Sequence, residues 1–163
     1  MLLEKPMAPS LEECRAIEAA QRRSGAIVGV CHSLRYQKGF RKLKELVDAG
    51  AVGRVITVDH IERVAFWHQA HSFVRGNWGN EGRSIFMLLA KSCHDIDYLA
   101  NLVGKPCLRV ASYGSLSYFR PENAPKGAPP RCTDGCPVES TCPYSAIRVY
   151  VHNLYNVSWL LTP

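Results

Sequence analysis

Four hydrogen-bonding or ionisable residues, Lys91, His94, Asp95 and Tyr98, fall at separations of three, four and seven within a stretch of helical periodicity. They therefore share about a third of a helix's circumference. Imidazole is the side chain whose ordinary pKa, about 6.5, suits proton exchange near neutral pH. A lysine one turn earlier disfavours the imidazolium by like-charge repulsion, which leaves His94 neutral and able to accept a proton. Asp97, three residues beyond, is placed to orient the ring. The same stripe also suits a solvated helix face carrying a Lys91–Asp95 ion pair, so both readings stand at this point.

A second constellation is Cys132-x3-Cys136-x5-Cys142, flanked by Pro137 and Pro143. Its three thiols lie within reach of one centre. Zinc takes four tetrahedral ligands, and neither spacing is the CxxC of common structural sites. A fourth ligand would come from His152, His68 or His71, and an iron–sulfur cluster is the other metal the trio would suit. The alternative is three reduced thiols pinning a proline-rich loop. The total of seven cysteines is odd and no secretory signal precedes them, which argues against a disulfide framework.

The elements that must position these residues can be read from pattern. Ser10-Leu11-Glu12-Glu13 is a capping box opening a helix that Gly25 closes. Ala26–Cys31, AIVGVC, is a short apolar run of the kind expected for a parallel strand buried on both faces. A second amphipathic helix is expected over Tyr36–Ala49, with Phe40, Leu43, Leu46 and Val47 on one face. Gly53–Phe66 and Cys107–Phe119 are expected as strands, the first alternating in the antiparallel manner. Between them lie a long polar and aromatic loop, Trp67–Arg83, and a helix from a Ser84 cap to Val103, with Ile85, Leu88, Leu89, Ile96 and Leu99 turned to a core. Arg120–Cys142 is too proline-rich for regular structure, and the tail restarts at Tyr144 as helix or strand.

At 163 residues, with 47% hydrophobic and 21% charged residues, the chain has the composition of a globular protein. No stretch approaches the roughly 20 apolar residues of a membrane helix. With no signal peptide legible at the start, a cytoplasmic location is expected and no membrane partner. The net charge is +6. Its densest run, Arg35, Lys38, Arg41, Lys42 and Lys44, lacks interleaved aromatics and reads as a solvated face, so no nucleic-acid partner is expected.

Six motifs in register resemble one family. They are Glu4-Lys5-Pro6 with the capped helix behind it, the AIVGVC strand, Leu34-Arg35-Tyr36, Gly50-Ala51-Val52-Gly53-Arg54-Val55 and Lys91-Ser92-Cys93-His94-Asp95-Ile96-Asp97. Together they resemble the Gfo/Idh/MocA oxidoreductases, the family of glucose–fructose oxidoreductase and inositol dehydrogenase. The resemblance implies a Rossmann domain binding NAD or NADP, followed by an α/β domain with an open, mostly antiparallel sheet and helices on one face. It also implies hydride transfer on a sugar, a polyol or a related carbonyl compound.

Carried over residue by residue, the resemblance makes Lys5 and His94 catalytic, with Lys91 polarising the substrate oxygen. The family often has an aspartate four residues before the histidine, where this chain has Ala90. Glu4, Lys5, Pro6 and Arg35 fall on the cofactor side, and Arg75, Trp78 and Asp95 on the substrate side. Arg75 has the fork to hold a carboxylate or a hydroxyl pair.

A dinucleotide site needs a strand, a Gly-x-Gly-x-x-Gly turn and a helix N-terminus. The sequence has no such turn, and Gly76, Gly79 and Gly82 are wrongly spaced. The expectation is therefore a Rossmann remnant over residues 1–33 and an incomplete substrate and oligomerisation domain over 34–163. Such a chain would not bind the nucleotide or turn over by itself, and would associate as a homo-oligomer through its sheet. The competing expectation is a non-enzymatic remnant or oligomerisation module with a metal-bound cysteine loop.

Overall fold

The computed structural model describes residues 1–152. The chain forms two compact units, Met1–Arg63 with Asn80–Ala111, and Val64–Gly79 with Ser112–Pro163.

The first unit opens with strand β1 (Leu2–Leu3), helix α1 (Leu11–Ser24) and strand β2 (Gly29–Val30). β1 and β2 pair in parallel, Leu2 opposite Gly29 and Leu3 opposite Val30, so α1 is the crossover of a small βαβ unit. The capping box forms as expected. Ser10 Oγ accepts from the Glu13 N–H at 3.2 Å, while Glu13 Oε2 accepts from the Ser10 N–H at 3.0 Å. At the other end Gly25 adopts φ +65°, the left-handed conformation that a Cβ disfavours. The AIVGVC run is not covered on both faces, however, since Ile27 is 90% exposed. With one parallel neighbour, the strand lacks the second layer its composition anticipates.

Helix α2 spans Lys38–Asp48 after a 3-10 turn at Ser33–Tyr36; α3 (Phe66–His68) belongs to the second unit, and helix α4 spans Met87–Val103. α4 starts after Phe86, two residues later than a Ser84 cap would place it. Its buried residues are Ala90, Asp95, Tyr98 and Leu102, whereas Leu88 and Ile96 are exposed. The helix thus turns its polar stripe inward, the reverse of the expected orientation. Burial is tolerable because the polar groups find partners: Asp95 meets His60, and the Tyr98 hydroxyl donates to the Phe40 carbonyl at 3.1 Å.

The expected antiparallel sheet does not form among the described residues, where the sheet is the two-stranded parallel pair alone. The segments 54–65 and 105–117 carry no strand. Ile56, Leu108, Val110 and Tyr113 stand exposed along them. Alternation specifies a strand only where a neighbour supplies ladder partners, and neither segment has one here.

In the second unit, the expected loop after Phe66 instead starts as helix. α3 runs into a π-helical turn over Gln69–Val74. Arg120–Cys142 is irregular apart from a 3-10 turn at Pro121–Asn123, as its prolines dictate. The tail forms a π-helical turn over Ile147–Val151, with Val149 and Ser145 fully buried. The terminal Trp159–Pro163 run lies outside the described residues.

Candidate functional site

In the first unit the inward face of α4 meets the segment after β1. The Lys5–Pro6 peptide is cis. The Lys5 ammonium donates to the Ala90 carbonyl at 2.8 Å, one helical turn before His94. That contact brings a cation from the start of the chain to Lys91 and His94. Partial burial and the Lys5 charge hold the Lys91 ammonium below the usual lysine range, with Glu62 acting in the opposite direction. Burial, then Lys5, then His32 push the His94 imidazole below its ordinary value. Burial is thus the main influence on the His94 imidazole, and the lysine that adds to it is Lys5, where the spacing had pointed to Lys91.

His94 Nδ1 is buried without a hydrogen-bond partner, and so is His32 Nδ1. The two rings meet edge to face, 5.6 Å between centroids at 86°. A buried imidazole nitrogen left unpaired costs free energy, and such atoms cluster where a substrate or solvent atom completes the bond.

Asp97 does not orient His94. Its carboxylate accepts from Arg35 Nε and Nη2, both at 2.6 Å, and Arg35 Nη1 reaches Asn101 Oδ1 at 3.3 Å. The guanidinium holds the Asp97 carboxyl below the usual carboxylate range. Arg35, assigned by resemblance to the cofactor side, thus ties the turn before α2 to α4. Nor does Asp95 pair with Lys91, because its Oδ1 lies 2.8 Å from His60 Nε2. On the strand side, the Glu4 carboxylate accepts from the Lys5 N–H at 3.3 Å, and Pro6 completes the segment.

Sequence reasoning missed His32, His60 and Glu62. The last two lie two apart on an extended segment, which puts them on one side of it, a signal that alternation alone could have supplied. With Asp95 they form the group of donor atoms within 4.8 Å of one another that a cation would require. The three loop cysteines do not form such a group among the described residues.

Arg75 and Trp78 belong to the second unit. Arg75 Nη1 donates to Cys132 Sγ at 3.6 Å, and Trp78 packs on Phe73, 5.8 Å between ring centroids. Cys132, Cys136 and Cys142 are free thiols lining one cavity of about 490 Å³. Of the histidines considered as a fourth metal ligand, His71 already has partners. Its Nε2 lies 2.8 Å from the Tyr144 carbonyl and its Nδ1 3.0 Å from the Tyr150 hydroxyl, so both nitrogens are engaged.

The helix that follows β1 has its N-terminus occupied by the Ser10–Glu13 capping box and carries Glu12 and Glu13 in its first turn, an environment that repels phosphate.

Residues 44–142 match the profile of an oxidoreductase family's C-terminal alpha/beta domain. YteT of Bacillus subtilis, which bears the name of an oxidoreductase, is 29% identical over 150 residues, or 88% of this chain and 34% of its own length. A dehydrogenase of Comamonas testosteroni named for a 1-carboxy-3-chloro-3,4-dihydroxycyclohexadiene is 29% identical over 69% of this chain and 28% of its own. Inositol 2-dehydrogenase 3 of Saccharopolyspora erythraea is 41% identical over 37% of this chain and 18% of its own. The chain thus spans about a third or less of each relative. No solved structure matches it. None of the helices among the described residues is long and apolar enough to cross a membrane.

Proposed function

Because this chain belongs to the Gfo/Idh/MocA oxidoreductase family, we propose that it is the substrate-binding and acid/base portion of a nicotinamide-dependent enzyme that interconverts a hydroxyl and a carbonyl. The substrate class we assign is a sugar, a polyol or a related small molecule. The observation that carries the reading is the buried, unpartnered Nδ1 of His94 on the helix face that Lys5 reaches.

In the oxidation direction, neutral His94 accepts the proton of the reacting hydroxyl. The ammonium groups of Lys5 and Lys91 stabilise negative charge developing on that oxygen. The nicotinamide supplies the hydride acceptor, and its glycine-rich cradle is not among these residues. On this reading residues 1–33 are the end of a Rossmann domain and 34–163 the substrate domain, and the chain by itself neither holds the nucleotide nor turns over. Arg75 and Trp78 serve the substrate side, Glu4 and Pro6 the cofactor side. The reading also gives a cytoplasmic homo-oligomer joined through the sheet.

The test is a titration of the isotope-labelled chain with a panel of polyols and aldoses, followed at the His94 imidazole and Lys91 ammonium resonances, alongside a fluorescence titration with NADH. A saturable sugar response that Lys5→Met abolishes, without micromolar NADH binding, is the expected result. Micromolar NADH affinity, or silence across the whole panel, overturns it.

A further inference from the structure

The cavity of the second unit brings together three of the chain's seven thiols, and the roles assigned above do not use them. Its walls are largely apolar: Tyr118, Phe119 and Tyr144 meet at centroid distances of 5.2 to 5.6 Å, and prolines complete the lining. Against this background Cys132 has distinctive surroundings. Its Sγ accepts from the Ala146 backbone N–H at 3.4 Å and from the Arg75 guanidinium at 3.6 Å. No carboxylate among the described residues pairs with Arg75, while Glu139, on the same cavity, accepts from the Ser145 hydroxyl at 3.1 Å. The arginine charge is therefore directed at sulfur.

Arg75 is held there by its neighbour. A Cβ on Gly76 would stand 2.1 Å from the His71 carbonyl oxygen, so the chain at this point packs directly on the preceding turn. Partly exposed sulfur among N–H donors and a cation is the environment in which cysteines act as nucleophiles.

We propose that Cys132 is a peroxide-reactive thiol and that Cys136 or Cys142 resolves it. In the first step Cys132 sulfur attacks one peroxide oxygen. An S–O bond forms as the O–O bond breaks, and the departing oxygen leaves as water after taking up the thiol proton. The second thiol then attacks the sulfenic sulfur. An S–S bond forms, the S–O bond breaks, and the hydroxyl leaves as water with the second thiol's proton. Two thiols are oxidised and one hydrogen peroxide is reduced to two waters. Cys136 and Cys142 follow Cys132 by four and ten residues through a run of turns in which Gly135 takes φ +80°.

The experiment compares the seven cysteines within the unmodified chain, by mass spectrometry after brief exposure to hydrogen peroxide with dimedone present, and by timed iodoacetamide labelling at pH 7. Cys132 is expected to react at least tenfold faster than the exposed Cys107 and to carry the dimedone adduct. Without dimedone, a Cys132–Cys136 or Cys132–Cys142 disulfide is expected. Arg75→Gln should slow Cys132 several-fold and Arg75→Lys restore part of the rate. Equal rates at Cys132 and Cys107 overturn the proposal. So does labelling that appears only after a chelator strips bound zinc or iron, which would make the trio a metal site.

Discussion

The Lys5 ammonium and the Ala90 carbonyl, 85 residues apart in sequence, are joined by a 2.8 Å hydrogen bond. The bond fixes a positive charge beside Lys91 and His94, at a helix position where the family resemblance leads one to expect an aspartate. With Ala90 at that position, the Lys5 charge meets a main-chain oxygen there and no side-chain carboxylate. Lys5→Met should therefore raise the midpoint of His94 toward 6.5 and raise that of Lys91 as well, because Lys5 lowers both. Nitrogen-15 spectra of the imidazole across a pH series read the first change directly. A His94 midpoint that does not move would remove Lys5 from the site.

The depressed His94 value also sets a direction for stability. Below pH about 6.5 the unfolded chain takes up a proton at this histidine before the folded chain does. Folding stability should therefore fall as the pH drops from about 6.5 to the lower folded-state midpoint, and continue to be lower by that amount below it so far as this group is concerned. Urea midpoints measured from pH 8 to pH 5 should show that loss in the parent chain and less of it in His94→Gln. Parallel curves for the two proteins would contradict the assignment.

Much of this site was legible in the sequence, and the reason lies in local chemistry. Ser10, Glu13 and Gly25 encode α1 because capping and a left-handed stop depend on residues within one turn. His94 and Lys91 were legible because helical spacing alone puts them together. The inward orientation of α4 was not, since the helix has apolar residues on one side and partnered polar residues on the other. Which side is buried depends on His60 and Phe40, distant in sequence. The same limit explains the missing strands. Val55 through His60 alternate, yet alternation encodes only a preference, and the ladder that would realise it is not supplied by the described residues. The partner of Arg35 was not legible either, since nothing local announces that its fork is filled by Asp97.

Arg35 and Asp97 form a two-pronged pair, with both bonds at 2.6 Å and the carboxylate side chain 19% exposed. Partial exposure keeps its contribution to about 1 kcal/mol, the upper end for surface pairs. Asp97→Asn should lower unfolding free energy by about that amount near neutral pH, and Arg35→Lys should recover little, because an ammonium cannot fork. The Asp97 carboxyl is held below its ordinary value, so its contribution is complete above pH about 3.9 and is lost as the pH falls through the lower folded-state value. Acid titration of parent and Asp97→Asn should therefore converge at the acid end. A gap that persists unchanged to pH 2 would place the effect elsewhere.

Tyr98 joins α4 to α2 by two different interactions. Its ring meets Phe40 at 4.5 Å and 68°, and its hydroxyl donates to the Phe40 carbonyl. The side chain is 2% exposed. Tyr98→Phe removes only the hydrogen bond and should cost about 1 kcal/mol. Tyr98→Ala also empties the contact and should cost about 3–5 kcal/mol. Guanidinium denaturation of the three proteins separates the two contributions, and similar losses for Phe and Ala would mean that the ring packs less tightly than its geometry indicates.

Two glycines make opposite demands. Gly25 takes φ +65° with nothing within 4 Å of the place a Cβ would occupy, so Gly25→Ala meets only backbone strain, about 1 kcal/mol. Gly76 has no positive φ, but its Cβ would meet the His71 carbonyl oxygen at 2.1 Å and that of Ser72 at 2.9 Å. Backbone atoms cannot swing aside as a flexible side chain would, so Gly76→Ala must displace the turn over Gln69–Val74, at about 3 kcal/mol. Hydrogen exchange distinguishes the two causes. Gly76→Ala should accelerate exchange in the turn, including the Arg75 amide that donates to Ala70, and Gly25→Ala should affect only the end of α1. Protection of the 69–79 amides unchanged by Gly76→Ala would show that the close approach is not what holds Arg75 against Cys132.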